Sequence, residues 1–255
     1  MKRIFNHQRD TPDIRDLKFH KEIFLLKSLK VPNKFSLGDI CKLPTILDQG
    51  NLGSCTANAA SNSLRYLLTK NKKKEIQPSR LYIYYFTRVI QNTVNQDSGC
   101  TLRNVMKAIV RNGACDENNW QYIISKFTEK PTQVAITDGL NRRRNFQYLS
   151  VNQDLPTIKN AIVQGFPIVI GIMVYSSFMS PVVSRTGDVP LPNRKTETLL
   201  GGHAVTIVSY DDTTRKFGLM NSWGEDWGNK GYFTLPYNYV LNVQLAFDFW
   251  TIRMF

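Results

Sequence analysis

Apolar residues recur at helical spacing in the first half of the chain and form strand-like runs in the second half. Four of them share one face of a helix predicted over residues 55–70, buried along one side: Ala60, Leu64, Leu67 and Leu68. A second helix is predicted to start at Pro78-Ser79. A third is predicted over residues 101–112, where Gly113 ends the apolar period.

The pattern changes after a short predicted helix over residues 154–164. β-branched and aromatic runs, separated by Gly, Pro, Asp and Asn, predict strands over residues 166–175, 204–210, 216–221, 232–235 and 247–254. Helices followed by strands predict an α+β protein with two lobes. We expect a helical lobe over residues 36–150 and a β lobe over residues 151–255.

Residues 1–35 differ from both lobes. They are polar and charged, with one short apolar patch at residues 23–26, and they predict an arm outside the core. We hypothesise that the stretch near residues 10–19 folds back over a cleft as a built-in regulator. A disordered tail is the alternative.

Composition narrows the class of protein. The chain has 255 residues, 42% of them hydrophobic, and its longest apolar run, residues 166–175, is too short to span a membrane. The N-terminus has charge without an apolar stretch, so we expect no signal peptide and favour a cytoplasmic or virion location over secretion.

The net charge of +13 leaves nucleic acid or an anionic surface open as partners. Its two tight basic clusters, residues 70–74 and 142–144, are more typical of solvated loops.

The most informative segment is the one around Cys55. Turn-forming residues precede Ser54, a good N-cap, which places Cys55 in the first turn of the first helix. The amides and the dipole of such a turn favour a thiolate, whereas a cysteine that merely packs is the alternative. Gln49, six residues upstream, can place its side-chain NH2 beside the sulfur.

A cysteine nucleophile needs a base, and the chain has three histidines. Two of them, His7 and His20, lie in the arm, whereas His203 follows two glycines at the start of a predicted strand. Asn221, at the end of the next strand, can orient an imidazole, and Trp223 can shield their hydrogen bond.

These three segments together resemble the papain and cathepsin cysteine peptidases in residue type, order and spacing. They are Gln49–Cys55, Gly202-His203-Ala204 and residues 221–228. The pair Gly201-Gly202 is similar to the equivalent segment of cathepsin B. The resemblance implies a papain-like fold, with an antiparallel, barrel-like β lobe and an active site in the cleft between the lobes. It implies no metal and no organic cofactor.

The resemblance also implies a role for each matched residue. Cys55 would be the nucleophile, His203 the base, Asn221 its orienting partner, and Gln49 with the Cys55 backbone N–H the oxyanion hole. Substrate-binding residues would come from the strip Gly99, Cys100 and Leu102, and from cleft positions Gly53, Ser54, Gly171, Gly202 and Trp223.

Departures from the family pattern are also visible. Leu52 stands at a usual half-cystine, Thr56 at a usual aromatic residue, and Cys100 at a usual glycine. If Cys55 is a free nucleophile, three cysteines remain and at least one more is unpaired, so the four cysteines predict no disulfide framework. A Cys41–Cys115 bridge stays open.

We favour an endopeptidase acting on peptide or protein substrates, because no histidine between residues 21 and 202 could serve a dipeptide-trimming loop. A papain-fold acyltransferase or deamidase is the first alternative. A non-catalytic basic binding or virion protein is the second.

Overall fold

The structure is a computed structural model that describes residues 3–19, 31–73, 76–143 and 146–254. Its helices and strands are interspersed along the chain. Within these ranges the helices are α1 (Cys55–Lys70), α2 (Arg80–Gln91), α3 (Leu102–Asn112), α4 (Gln133–Arg142), α5 (Leu155–Val163), α6 (Pro181–Thr186) and α7 (Tyr237–Val240). The strands are β1 (Lys34–Ser36), β2 (Phe146–Ser150), β3 (Ile168–Tyr175), β4 (Leu199–Asp211), β5 (Lys216–Met220), β6 (Tyr232–Pro236) and β7 (Ala246–Met254).

Helix α1 lies at the centre of the molecule, packed against α2, α3 and β4. It is buried on nearly every side, although its sequence predicted burial along one side only. Small polar residues make this possible because they bond to neighbouring backbone: Ser61 Oγ donates to Pro78 O at 2.6 Å. Ala59 O accepts from Thr206 Oγ1 at 3.1 Å, which joins α1 to β4.

Local capping interactions determine where α2 and α3 begin, and a glycine determines where α3 ends. Ser79 and Thr101 cap α2 and α3 by accepting hydrogen bonds from backbone N–H groups in their first turns. Gly113, with φ of +70°, ends α3. A Cβ there would overlap the backbone of Gly139 in α4, so only glycine fits both the turn and the close approach.

The strands form one antiparallel sheet in the order β2-β7-β3-β4-β5-β6, with β1 paired to β4. Strand β3 is almost entirely buried, as its unbroken apolar run predicted. His203 and Ala204 on β4 pair with Ile172 and Gly171 on β3. His203 therefore lies within β4 and not at its start, because Leu199–Gly202 also join the ladder.

Five elements escaped the sequence analysis: β1, β2, α4, α6 and α7. Strands β1 and β2 precede residue 151 and yet extend the sheet, so the β structure does not begin with the predicted β lobe. Both are short and half-exposed and carry little periodicity, which is why pattern alone misses edge strands of this kind. No helix in the described ranges combines the length and the apolar character needed to cross a membrane.

The N-terminal residues are more ordered than an arm outside the core would be. Phe19 is buried, with its ring 6.0 Å from that of Phe166, and the adjacent Lys18 pairs with Ser150 at the end of β2. The expectation that this stretch has no core to join is therefore wrong for residue 19. His20 and the apolar patch at residues 23–26 lie outside the described residues.

A buried arginine organises the loop between α2 and α3. The Arg88 guanidinium donates to the carbonyl oxygens of Val94 (2.5 Å), Gln96 (3.2 Å) and Phe127. It also lies 4.1 Å from the centre of the Tyr84 ring. This loop carries Asp97, whose carboxylate accepts the Gly53 N–H at 3.0 Å, so the guanidinium supports the turn before α1.

We predict that Arg88→Met lowers the free energy of unfolding by about 2–4 kcal/mol, because it leaves buried carbonyl oxygens without donors. Denaturant unfolding measures the change. Arg111→Met is the matched control, since Arg111 is exposed on α3 and should change stability by less than about 0.5 kcal/mol. Equal stability of the two variants would contradict this role of Arg88.

Candidate active site

The turn before α1 is tied to the segment after β5. Gln49 N donates to Ser222 O at 2.8 Å, and Ser222 Oγ donates to Gln49 Oε1 at 2.6 Å. The Gln49 side-chain NH2 donates one hydrogen to Leu52 O at 2.9 Å. These bonds fix the Gln49 carboxamide in one orientation, with the NH2 group turned towards the backbone of its own turn.

Tyr122 fastens both ends of the same turn, and the sequence analysis missed it. Its hydroxyl donates to Gln49 O at 2.9 Å and lies 2.5 Å from Ser54 Oγ. Because a phenol has one hydrogen, Ser54 is the donor in that second bond. Ser54 thus occupies the N-cap position without a capping bond, and its side chain binds Tyr122.

Tyr122 is itself held by a buried ion pair. The Arg80 guanidinium lies 3.9 Å from the centre of the Tyr122 ring and 2.7 Å from the Glu117 carboxylate. Arg80 also donates to Asp48 O at 3.0 Å, directly before Gln49. No signal in the sequence links residues so far apart.

Cys55 is the first residue of α1, and its side chain is fully buried. Burial raises the pKa of the thiol to about 11, although the backbone N–H groups of Ala204 and Thr56 act in the opposite direction. The expected thiolate is therefore not the favoured form in this structure. The contact with Ala204, which directly follows His203, brings the thiol to the middle of β4.

His203 is also buried and is bound to Asn221. Its Nε2 lies 2.8 Å from Asn221 Oδ1, and because that oxygen only accepts, Nε2 carries the hydrogen. Nδ1 is buried and has no hydrogen-bond partner among the described residues. Burial lowers the pKa of His203 to about 4, although the bond to Asn221 raises it. The Trp223 ring lies 5.1 Å from the imidazole, as expected for a shield over this bond.

The N-terminal residues run through the cleft beside these groups. Residues 3–8, here called the cleft segment, bond to both rims through their backbone: His7 N donates to Gly202 O and Gln8 N donates to Cys100 O, each at 3.2 Å. The cleft therefore holds an extended peptide between β4 and the strip before α3.

The cleft segment contacts most of the positions predicted to bind substrate. A Cβ at Gly53 or Gly99 would overlap Asn6, and one at Gly171 or Gly202 would overlap His7. Close approach of another backbone explains glycine at these positions.

Phe5 and Arg3 cover the His203 end of the cleft. The Phe5 ring stands edge-on to His203 and Trp223, with centroids 6.0 and 5.9 Å away. The Arg3 guanidinium lies 5.3 Å from the centre of a Trp223 ring and pairs with Asp48. Leu102 is fully buried at the start of α3.

Residues 10–19 were expected over the cleft, and this placement is wrong. Arg103 at the start of α3 binds the Asp16 carboxylate at 2.8 Å, and its N–H donates to Asp10 at 3.1 Å. Trp250 Nε1 also donates to Asp10, at 2.8 Å. These bonds hold residues 10–19 beside the cleft, and the preceding residues, 3–8, enter it instead.

Sequence comparison gives the family of the chain. Residues 31–247 match the papain family of cysteine proteases. The chain belongs to this family. It is 36% identical over 271 residues to the uncharacterized peptidase C1-like protein L477 of Acanthamoeba polyphaga mimivirus, covering 98% of this chain and 87% of that one. It is 28% identical to the cathepsin B-like protein CP2 of Giardia intestinalis, covering 76% of this chain and 64% of that protein.

Solved structures place the fold in the same family. Xylellain, a cysteine protease from Xylella fastidiosa, superposes with a TM-score of 0.89 at 35% identity, over 98% of this chain and 96% of that one. The chain is thus a papain-like cysteine peptidase with the expected α+β fold. Leu52 is buried at the half-cystine position, and Cys41, Cys55, Cys100 and Cys115 are all free thiols, so the Cys41–Cys115 bridge is not formed.

We predict that iodoacetamide alkylates Cys55 slowly in the intact chain, with a rate that rises about tenfold per pH unit between about pH 7 and 10. In that range the thiolate fraction is small and increases with pH, because the pKa is raised to about 11. Phe5→Ala opens the His203 end of the cleft, next to the thiol's contact with Ala204, and should raise the rate at pH 7.5 by about tenfold or more. Peptide mass spectrometry measures the rates.

Ile14→Ala is the control, because Ile14 is fully exposed in the same N-terminal stretch. Rapid, pH-independent alkylation of the intact chain would contradict burial as the cause of the raised pKa.

Proposed function

We propose that this papain-family protein is an endopeptidase that uses Cys55 as nucleophile and His203 as general base, and that its intact chain is a latent form. The observation that carries the proposal is the extended cleft segment, which is bonded through its backbone to both rims beside Cys55 and His203. A cleft that holds one peptide in this way has the form required to hold a substrate.

The chemistry follows from the free nitrogen of His203. Nδ1 takes the thiol proton, and the Cys55 sulfur attacks the carbonyl carbon to form a C–S bond. The imidazolium then protonates the leaving amine as the peptide C–N bond breaks. Water, deprotonated by the same nitrogen, then attacks the acyl carbon to form a C–O bond. The C–S bond breaks, the second product leaves as a carboxylic acid, and the proton returns from His203 to the Cys55 sulfur. Asn221 keeps the ring oriented throughout because it accepts the hydrogen on Nε2.

Gln49 and the Cys55 backbone N–H form the proposed oxyanion hole. The Cys55 N–H lies in the first turn of α1, where backbone donors have no partner within the helix. Gln49 uses one hydrogen of its NH2 on Leu52 O and has a second available. Ser222 and Tyr122 hold this turn still, and such preorganisation is what gives an oxyanion hole its effect.

Cleavage of a fluorogenic peptide library tests the assignment. We predict that Cys55→Ala and His203→Ala abolish hydrolysis and that Gln49→Ala lowers kcat by about 10²–10³. Cys41→Ala, at a free thiol outside the cleft, should leave kcat unchanged. Unaltered hydrolysis by Cys55→Ala would refute the proposal. Transfer of the acyl group to an added amine, in preference to water, would identify an acyltransferase instead.

The cleft segment would act as an intramolecular competitor of the substrate. We predict that Gln8→Pro, which removes the N–H bound to Cys100 O, lowers the apparent KM about fivefold and leaves kcat unchanged. Saturating substrate displaces the segment in both proteins, so only KM responds.

Gln8→Ala is the matched control, since it keeps the N–H and loses only the side-chain bond to Ser98 O. A Gln8→Pro variant with wild-type KM would show that the segment does not compete with substrate.

A further inference from the structure

The guanidinium group of Arg3 occupies a well-defined site at the Trp223 end of the cleft. Its two terminal nitrogens each contact one oxygen of the Asp48 carboxylate, with Nη2 at 3.2 Å from Oδ2. Nη2 also donates to Trp223 O at 3.3 Å, and Nη1 lies 3.5 Å from Gly50 O. The group lies 5.3 Å from the centre of a Trp223 ring. A carboxylate, two carbonyl oxygens and an aromatic face thus form a site suited to a planar cation, here called the guanidinium site.

The residues of the guanidinium site are fixed by the body of the protein and not by the cleft segment. Asp48 pairs with Trp223 in a β-bridge, and its Oδ1 accepts the Gly50 N–H at 2.8 Å. Trp223 is buried, and its side chain stands edge-on to that of Trp227 with ring centroids 4.9 Å apart. We therefore expect the site to keep its shape when Arg3 leaves.

The site is accessible from solvent and carries a negative charge. The Asp48 side chain is 41% exposed, although it is bonded to Arg3. Burial raises the pKa of Asp48, but the bonds from Arg3 and from the Gly50 N–H outweigh this effect and hold the pKa below its usual range. The carboxylate is therefore ionised at neutral pH and attracts cations.

Arg3 is the only residue of the cleft segment, residues 3–8, that is charged at pH 7. His7 is the other titratable residue of the segment, and burial lowers its pKa to about 4, so its imidazole is neutral. A partly exposed ion pair is weakened by salt and by competing cations. Loss of the Arg3 contact would therefore shift the equilibrium of the segment towards the open cleft.

We propose that Asp48, Gly50 and Trp223 form a binding site for guanidinium groups, and that a ligand with an arginine side chain opens the cleft by replacing Arg3. The inference rests on the proposed function, since it takes the covered cleft as the latent form, and it adds the chemical class of a ligand that reverses latency. Arginine suits the site better than lysine, because a planar fork matches both carboxylate oxygens and stacks on an indole.

The first test measures opening without hydrolysis. Iodoacetamide reaches Cys55 through the open cleft, so the alkylation rate at about pH 8 reports the open fraction. We expect Arg3→Ala and Asp48→Asn each to raise the rate about tenfold, and the double variant to exceed either one by less than about twofold. Asp48→Asn keeps an oxygen for the Gly50 N–H, so the turn should stay intact. Arg15→Ala is the matched control and should leave the rate unchanged, because Arg15 is exposed in the same N-terminal stretch.

Salt gives a second measure of the same contact. Sodium chloride at about 1 M shortens the Debye length to about 3 Å and should raise the wild-type rate about fivefold, but that of Arg3→Ala by less than about twofold. Unchanged rates in Arg3→Ala and Asp48→Asn, or effects that multiply in the double variant, would overturn the proposal.

The second test adds the ligand to the full chain. N-acetyl-argininamide at about 100 mM, well above the effective concentration of about a millimolar of a tethered group, should raise the alkylation rate about threefold or more. N-acetyl-leucinamide is the matched control and should have no effect, and Asp48→Asn should remove the effect of the arginine compound. Equal rates with the two compounds, or an acceleration that survives Asp48→Asn, would overturn the guanidinium site.

The two proposals fail separately. Unaltered hydrolysis by Cys55→Ala would refute the proposed function, whereas the alkylation rates decide the guanidinium site without any hydrolysis.

Discussion

Contact between the first turn of α1 and the middle of β4 determines where the functional groups lie. The Cys55 thiol meets the backbone N–H of Ala204, and the Thr206 hydroxyl bonds to the backbone of α1 one turn further along. Small residues along α1 permit this approach because they leave room for the sheet. Since His203 precedes Ala204 in the same strand, the packing that builds the core also brings thiol and imidazole to one cleft.

Much of this arrangement could be predicted from the sequence. The spacing of apolar residues predicted α1 and α3. Their ends were predicted closely because Ser54, Thr101 and Gly113 mark them in the local sequence. The pairing of His203 with Asn221 followed from chemical need, since a catalytic imidazole requires an acceptor behind it. The likeness to papain-type enzymes supplied the cleft positions, and the glycines among them do lie against a bound peptide segment.

Other features depend on contacts between residues far apart in the chain, which no local pattern encodes. Tyr122 looks like an ordinary aromatic residue until its hydroxyl is seen between Gln49 and Ser54. The burial of the Cys55 thiol escaped the sequence analysis for the same reason. The helix dipole was visible in the sequence, but the full burial of the thiol was not, and burial has the larger effect on the pKa of Cys55. Likewise, the sequence predicted an arm for the polar residues before Phe19. Their hydrogen-bond partners, Arg103 and Trp250, lie far away in the sequence, so no local pattern reveals the contact.

Covalent attachment of the cleft segment to the protein that it covers has a consequence for control. A tethered peptide is present at an effective concentration of about a millimolar whatever the amount of protein in solution. Dilution therefore does not dissociate the cleft segment from the cleft, whereas it would dissociate a separate inhibitor. The equilibrium between covered and open cleft changes only in two ways. Either the chain is cleaved between the cleft segment and the rest of the protein, or a ligand is concentrated enough to compete with the attached segment.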